Sequence, residues 1–239
     1  MIVAHGDCGG RGDNLLAREL ARRIRLSKRY DDVQVGFMRC DPSIEDVAAR
    51  IACENIRLYP LFLSDGYYVR EAIPKRLAIA GGIDKAGRHV TIETPLGLNE
   101  KLPAVLAQAA SAASASRGID PAMVNVLLVA HGSAQSPHSA DVANTIARGI
   151  AAAGHFAKVR TCFLEEPPLF GDELERATDP TLVLGLFAGG GLHAEEDVLQ
   201  AVKALGRPQV FSLEQLGGYA NIIELLHAEL AASRPPPAA

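Results

Sequence analysis

The stretch Val126-Leu127-Leu128-Val129-Ala130-His131-Gly132-Ser133 decides how this chain is read. Five apolar residues run without a polar break and stop at His-Gly-Ser. Such a run, bounded by a glycine, predicts a strand buried on both faces of a parallel sheet, with one imidazole delivered to its carboxyl end. The chain opens on the same phrase, Ile2-Val3-Ala4-His5-Gly6. Setting His5 on His131 carries further landmarks into line. Val35-Gly36-Phe37-Met38 falls on Thr161-Cys162-Phe163-Leu164, and Pro42 falls on Pro168. With a one-residue gap, Leu61-Phe62-Leu63-Ser64-Asp65-Gly66 falls on Leu186-Phe187-Ala188-Gly189-Gly190-Gly191; later still, Pro95-Leu96-Gly97 lines up with Gln215-Leu216-Gly217. Order and spacing both hold, which is the mark of an internal duplication.

The periodicity within each copy alternates strand and helix. Strands are predicted at 2–5, 33–38, 56–63 and 89–92, then near 124–130, 158–164, 181–187 and 208–212. Helices are predicted at 14–27, from 43, at 66–77 with Pro74 kinking or breaking it, and at 102–115. In the second copy they fall near 138–153, 170–177, 192–205 and 219–232. Ser43 with Asp46 three residues on predicts a capped helix start. This alternation implies two similar α/β lobes, Rossmann-like or flavodoxin-like, each with a parallel four-stranded sheet covered on both faces. The Ala/Ser-rich stretch ending at Pro121 sets the boundary between halves. The first lobe is expected at 1–118, the second at 119–233, and a disordered tail at 234–239.

Composition narrows the function. The chain has 239 residues, 48% of them hydrophobic, and a net charge of −4. That balance gives no reason to expect nucleic acid, and no apolar run approaches the roughly 20 residues of a membrane span. No leader pattern opens the sequence, so a cytoplasmic location is the expectation. The four cysteines, Cys8, Cys40, Cys53 and Cys162, show no CxxC spacing. Zinc knuckles and redox pairs are therefore not expected, although Cys8 and Cys40 both lie just past strand ends.

The two copies differ where chemistry would sit. The second carries His131, Glu165 and His193; the first carries His5, Arg39 and Tyr68 at the matching places. Ligands of open parallel sheets bind outside the carboxyl ends of the strands, so all three residues of the second copy go to one edge. Imidazole and carboxylate are ligands for Co²⁺, Fe²⁺, Ni²⁺ or Zn²⁺, and a His/Glu/His set leaves coordination positions open. The same groups can move protons. Gly189-Gly190-Gly191 strips three side chains from the approach to His193, which lets a flat ligand come close. It is neither a Walker loop nor GxGxxG. His138, His155 and His227 are expected on solvent-facing helix positions, and His89 in a structural role. Glu195, Glu196 and Asp197 read as a charged helix start. On residues alone, three readings stand: a metal-handling enzyme, a metal carrier without turnover, and a metal-dependent hydrolase.

Leu127–Ser133, Phe163-Leu164-Glu165 and Leu186–Asp197, together with Pro60-Leu61-Phe62-Leu63 and Ala72-Ile73-Pro74 of the first half, resemble the class II chelatase family, the sirohydrochlorin cobalto- and ferrochelatases. Two departures stand out: Val198-Leu199 where the family has Ile-Pro, and Leu169 where it has Ser. The resemblance implies two lobes of chelatase-like fold and ATP-independent insertion of Co²⁺ or Fe²⁺, with Ni²⁺ a further candidate, into sirohydrochlorin or a similar tetrapyrrole. It maps His131, Glu165 and His193 onto metal-binding and proton-accepting positions. The tetrapyrrole is expected to meet Arg11, Arg39, Arg70, Ser133 and Gly189, Gly190 and Gly191, with arginines gripping its carboxylates. No organic cofactor is implied, and the chain is expected as a monomer or homodimer.

Overall fold

The computed structural model describes residues 1–6, 14–132, 138–187, 192–213 and 219–232, with the backbone alone at 138–139, 192–195, 219–220 and 231–232. The elements follow the duplicated plan. The first repeat runs β1 (Ile2–Ala4), α1 (Leu15–Leu26), β2 (Val35–Phe37), α2 (Ile44–Arg50), β3 (Asn55–Leu61), α3 (Ile73–Arg76) and β4 (His89–Ile92), then α4 (Leu102–Ser116). The second runs β5 (Asn125–Ala130), α5 (His138–Ala153), β6 (Lys158–Phe163), α6 (Phe170–Glu175), β7 (Thr181–Leu186), α7 (Leu192–Leu205), β8 (Val210–Leu213) and α8 (Tyr219–Ala232). No described helix is long and apolar enough to cross a membrane.

Two four-stranded sheets result, in the orders β2-β1-β3-β4 and β6-β5-β7-β8, and every pairing is parallel. The opening apolar run of each repeat is the inner strand, as its composition requires: Val126 to Ala130 are all buried, as are Ile2 to Ala4. The strand ends are flush. Ala4 pairs with Phe37 and Leu61, and Ala130 pairs with Phe163 and Leu186. The offset of 126 from Ala4 to Ala130 and from Phe37 to Phe163 therefore holds in three dimensions. So does the single-residue gap before Leu186.

The turns repeat as well. The Phe37 and Phe163 amides donate to the carbonyls of Pro42 and Pro168, each at 2.9 Å, and each proline follows a cis peptide bond. Ser43 caps α2 as its spacing predicts, its Oγ accepting from the Asp46 amide at 3.1 Å while its hydroxyl donates to the Asp46 carboxylate at 2.7 Å.

One helix departs from expectation. Residues 66–77 are not a single α-helix: Tyr68–Ala72 form a π-turn, with the Ile73 amide donating to the Tyr68 carbonyl, and α3 begins only at Ile73. Pro74 has no N–H to continue the α ladder, and the wider turn absorbs the loss.

The duplication and the compact units divide the chain differently. One unit takes described residues 1–99 and 223–232, and the other takes 100–187 and 192–222. The helix that closes each repeat thus belongs to the unit built on the other repeat. In the first unit α8 is held by the Tyr30 hydroxyl donating to the Leu230 carbonyl at 2.6 Å, by Arg23 paired with Glu224 and by Asn99 bonded to Glu229. In the second, α4 contributes Ala110 to a cluster with Val124, Leu182 and Phe211.

Candidate functional site

His131 is the first residue past β5, and Glu165 is the second past β6. Their backbones are tied together: the Glu165 amide donates to the His131 carbonyl at 3.1 Å, and the Leu164 amide to Ala130 at 3.1 Å. Gly132 makes the close approach possible. It sits at φ +75°, and a Cβ there would lie 2.9 Å from both the Phe163 Cβ and the Glu166 Oε1. The side chains meet in consequence, with His131 Nδ1 3.6 Å from Glu165 Oε2. That is ion-pair range rather than a hydrogen bond. Both side chains are more than half exposed, at 55% and 57%, so the pair is open to an incoming ion and keeps its hydration until one arrives.

The third residue expected here, His193, lies in the first turn of α7; its side chain falls outside the described residues. Ser133, Gly189, Gly190, Gly191 and Arg11 also fall outside them, as does Cys8, whose meeting with Cys40 is therefore not described. Topology still orders the site. Leaving β5, the chain goes to one side for β6 and returns to the other for β7, so β5 and β7 flank the point where strand order reverses. Ligands of doubly wound sheets collect at that point, and His131 follows one of the flanking strands.

The first repeat builds the same frame with other side chains. The Arg39 amide donates to the His5 carbonyl at 2.9 Å, as Glu165 does to His131. Gly6 takes φ +85°, with the Phe37 Cβ 2.8 Å from where its own Cβ would be. His5 Nε2 lies 3.2 Å from the Tyr68 hydroxyl, and Arg39 Nη2 donates to that hydroxyl at 3.3 Å. Arg39 is exposed. Arg70, expected to face substrate carboxylates, is exposed but engaged: its Nε donates to Asp65 Oδ2 at 2.9 Å and its Nη2 to the same oxygen.

Two expectations for the remaining histidines are corrected. His227 is half-buried rather than solvent-facing; its Nε2 is buried without a hydrogen-bond partner among the described residues, because α8 packs into the first unit. His155 is exposed but lies past the end of α5, not on it. Two further features were not read from the sequence. Glu166 covers Gly132, and the Tyr68 hydroxyl joins His5 to Arg39. The His-Gly pair signals the first, since a glycine held at positive φ beside a strand end marks a close approach. Nothing local signals the second.

A duplicated 2-1-3-4 parallel sheet, with a carboxylate and an imidazole brought together at the strand ends of one copy, defines a protein of the chelatase type. The chain belongs to the CbiX family, whose model matches residues 1–113 and 125–233. It is 27% identical over 219 residues, 83% of this chain and 74% of the relative, to a Halobacterium salinarum protein described as "Probable sirohydrochlorin cobaltochelatase". Among solved structures it is similar to CbiX, described as the terminal enzyme for biosynthesis of sirohaem in denitrifying bacteria, with a TM-score of 0.75 and 28% identity, covering 97% of this chain and 98% of that one. The fold is also that of SirB from Bacillus subtilis with Fe³⁺, at a TM-score of 0.74 and 18% identity over 97% and 94% of the two chains. It is shared too by the multi-domain DR2241 of Deinococcus radiodurans, at 0.76 and 23%, of which this chain spans 55%.

Proposed function

We propose that this chain inserts Co²⁺ or Fe²⁺ into sirohydrochlorin without ATP. The observation that carries the reading is the His131–Glu165 pair, 3.6 Å apart and exposed at the strand ends of a chain that matches the CbiX model over nearly all its length. The names of its relatives support the choice of tetrapyrrole.

Metallation must take two protons from pyrrole nitrogens and bring a partly dehydrated dication to one face of the ring. In this scheme His131 and His193 hold the ion by imidazole nitrogen. Glu165 shares its coordination and accepts one pyrrole proton, its carboxylate already beside the metal, and the second proton leaves to solvent water at this exposed strand end. The residues of 119–233 supply this chemistry, whereas the arginines of 1–118 grip the carboxylates of the tetrapyrrole. Arg39 is the principal carboxylate contact; Arg11, Arg70, Ser133 and the Gly189–Gly191 run complete the contacts. Arg70 exchanges its intramolecular partner Asp65 for the substrate.

Anaerobic absorbance of sirohydrochlorin with the protein and either metal, beside a His131→Ala/His193→Ala variant, tests the reading. Metallation faster than the spontaneous rate, and lost in the variant, is expected. A spectral shift on mixing with no acceleration would replace the enzyme with a tetrapyrrole carrier.

A further inference from the structure

The exposed apolar side chains of the first unit follow the sheet. Among its described residues, the large ones are Leu15, Leu26, Tyr67, Ile83 and Leu98. Leu26 ends α1 and Ile83 precedes β4, so both sit at the amino edge of the sheet. The other three sit at the opposite edge. Leu15 opens α1 after β1, Tyr67 lies in the connection that follows β3, and Leu98 lies in the turn Leu96–Leu98 that follows β4. The Gly97 amide donates to the Phe62 carbonyl at 3.0 Å, which joins the last two connections. Single exposed apolar side chains are ordinary, but these three share the edge where parallel sheets take their ligands.

Tyr67 is 64% exposed, yet its ring is held. It packs edge-on to Tyr68, with centroids 5.7 Å apart and planes at 67°. Tyr68 in turn stacks on buried Phe62 at 5.6 Å and 19°. A row of three rings therefore runs from the core to solvent at the strand ends, in a geometry that aromatic pairs favour. The backbone fixes the outermost ring as well. The Val69 and Arg70 amides both donate to the Gly66 carbonyl at 3.0 Å, closing the chain around Tyr67, and the π-turn begins at the next residue. Turns of this kind concentrate at functional sites. A ring already ordered by its neighbours loses little further freedom when a ligand covers it. With the one-residue gap, the matching position of the second repeat is Leu192, so the aromatic face belongs to the first repeat alone.

We infer that Tyr67 is a substrate-positioning residue whose ring makes the apolar contact with a flat conjugated macrocycle, with Leu15 and Leu98 adding apolar area at the same edge. That the macrocycle is sirohydrochlorin rests on the function proposed above. The first unit then holds its ligand by the plane of the ring, separately from any contact to the carboxylates.

Binding of metal-free sirohydrochlorin to the full chain, followed by absorbance, tests this beside steady-state metallation. Tyr67→Ala is expected to weaken binding about tenfold, and Tyr67→Phe to stay within about twofold of wild type, because the ring and not the hydroxyl makes the contact. KM for the tetrapyrrole should rise in Tyr67→Ala while kcat and KM for Co²⁺ stay in place. The melting temperature should stay within about 2 °C of wild type, as for other exposed side chains. Ile83→Ala, at the amino edge, should leave binding unchanged. If wild type metallates sirohydrochlorin and Tyr67→Ala binds it as wild type does, the contact is refuted and the proposed function stands. A loss in Tyr67→Phe as large as that in Tyr67→Ala also overturns the inference. If wild type binds the macrocycle without metallating it, and Tyr67→Ala binds it about tenfold more weakly, the contact stands and the enzyme is replaced by a carrier. If wild type does not bind it at all, both fail.

Discussion

Replacing Gly132 with alanine tests whether the site is built by the close approach of two strand ends. The new methyl meets two costs. An L side chain at φ +75° carries about 1–2 kcal/mol of left-handed strain. The Cβ also falls 2.9 Å from the Phe163 Cβ and from the Glu166 Oε1. The glutamate tip can swing away. The Phe163 Cβ cannot, because its backbone is paired to Ala130 in the sheet. Such overpacking adds about 1–3 kcal/mol. Gly118→Ala is the matched control, since Gly118 has φ +71° with nothing within 4 Å of its Cβ position, so it feels the strain alone. At about 2–4 °C per kcal/mol for a chain of this size, Gly132→Ala should melt about 4–20 °C below wild type and Gly118→Ala only about 2–8 °C below. The relief available at 132 is to push the end of β6 from that of β5, which parts Glu165 from His131. Co²⁺ affinity should then fall on the order of tenfold in Gly132→Ala, the scale on which ligand-orienting changes act, and stay put in Gly118→Ala. A Gly132→Ala protein that melts no lower than Gly118→Ala and binds Co²⁺ with wild-type affinity would refute the argument.

Ser43→Ala removes the cap that accepts from the Asp46 amide and should cost about 1 kcal/mol in urea unfolding; an unchanged midpoint would show that solvent replaces the cap. Arg76 grips Glu45 with two parallel bonds of 2.5 Å, and this hydrogen bonding, opposed by burial, holds the Glu45 carboxyl below its ordinary value of 4.5. A depressed folded pKa means stability that is present above 4.5 and lost as pH falls through the folded value. Because Glu45 is 42% exposed, that contribution is only about 0.5–1 kcal/mol. Glu45→Gln should therefore be less stable than wild type by this amount at pH 7, with the two unfolding curves converging in acid. A gap that stays constant into acid would exclude the ion pair as its origin.

The order of strands and helices was legible because it depends on local period and on one offset. A short apolar run rich in β-branched residues and stopped by glycine reads as a buried strand, and the repeat of 126 residues makes the second copy follow the first. The same logic placed His131 and Glu165 at one sheet edge, since each directly follows a strand whose end is set by its apolar run. The Tyr68 hydroxyl between His5 and Arg39 was not legible, nor was the Asp65 partner of Arg70. Residues 63 positions apart, as His5 and Tyr68 are, meet only through strand register and the width of the π-turn after β3. Pro74 announced a break in that helix, but not that the break would widen the turn before it. The helices α4 and α8 show the limit most plainly. Their apolar faces predict that each covers a sheet, and burial does not specify which one, because hydrophobic burial is non-directional. The sequence by itself determined two copies of a parallel sheet and which residues leave their strand ends. Only tertiary structure decided which helix closes which unit and which side chains meet at each edge, because those outcomes rest on distances of a few ångströms between residues far apart in the chain.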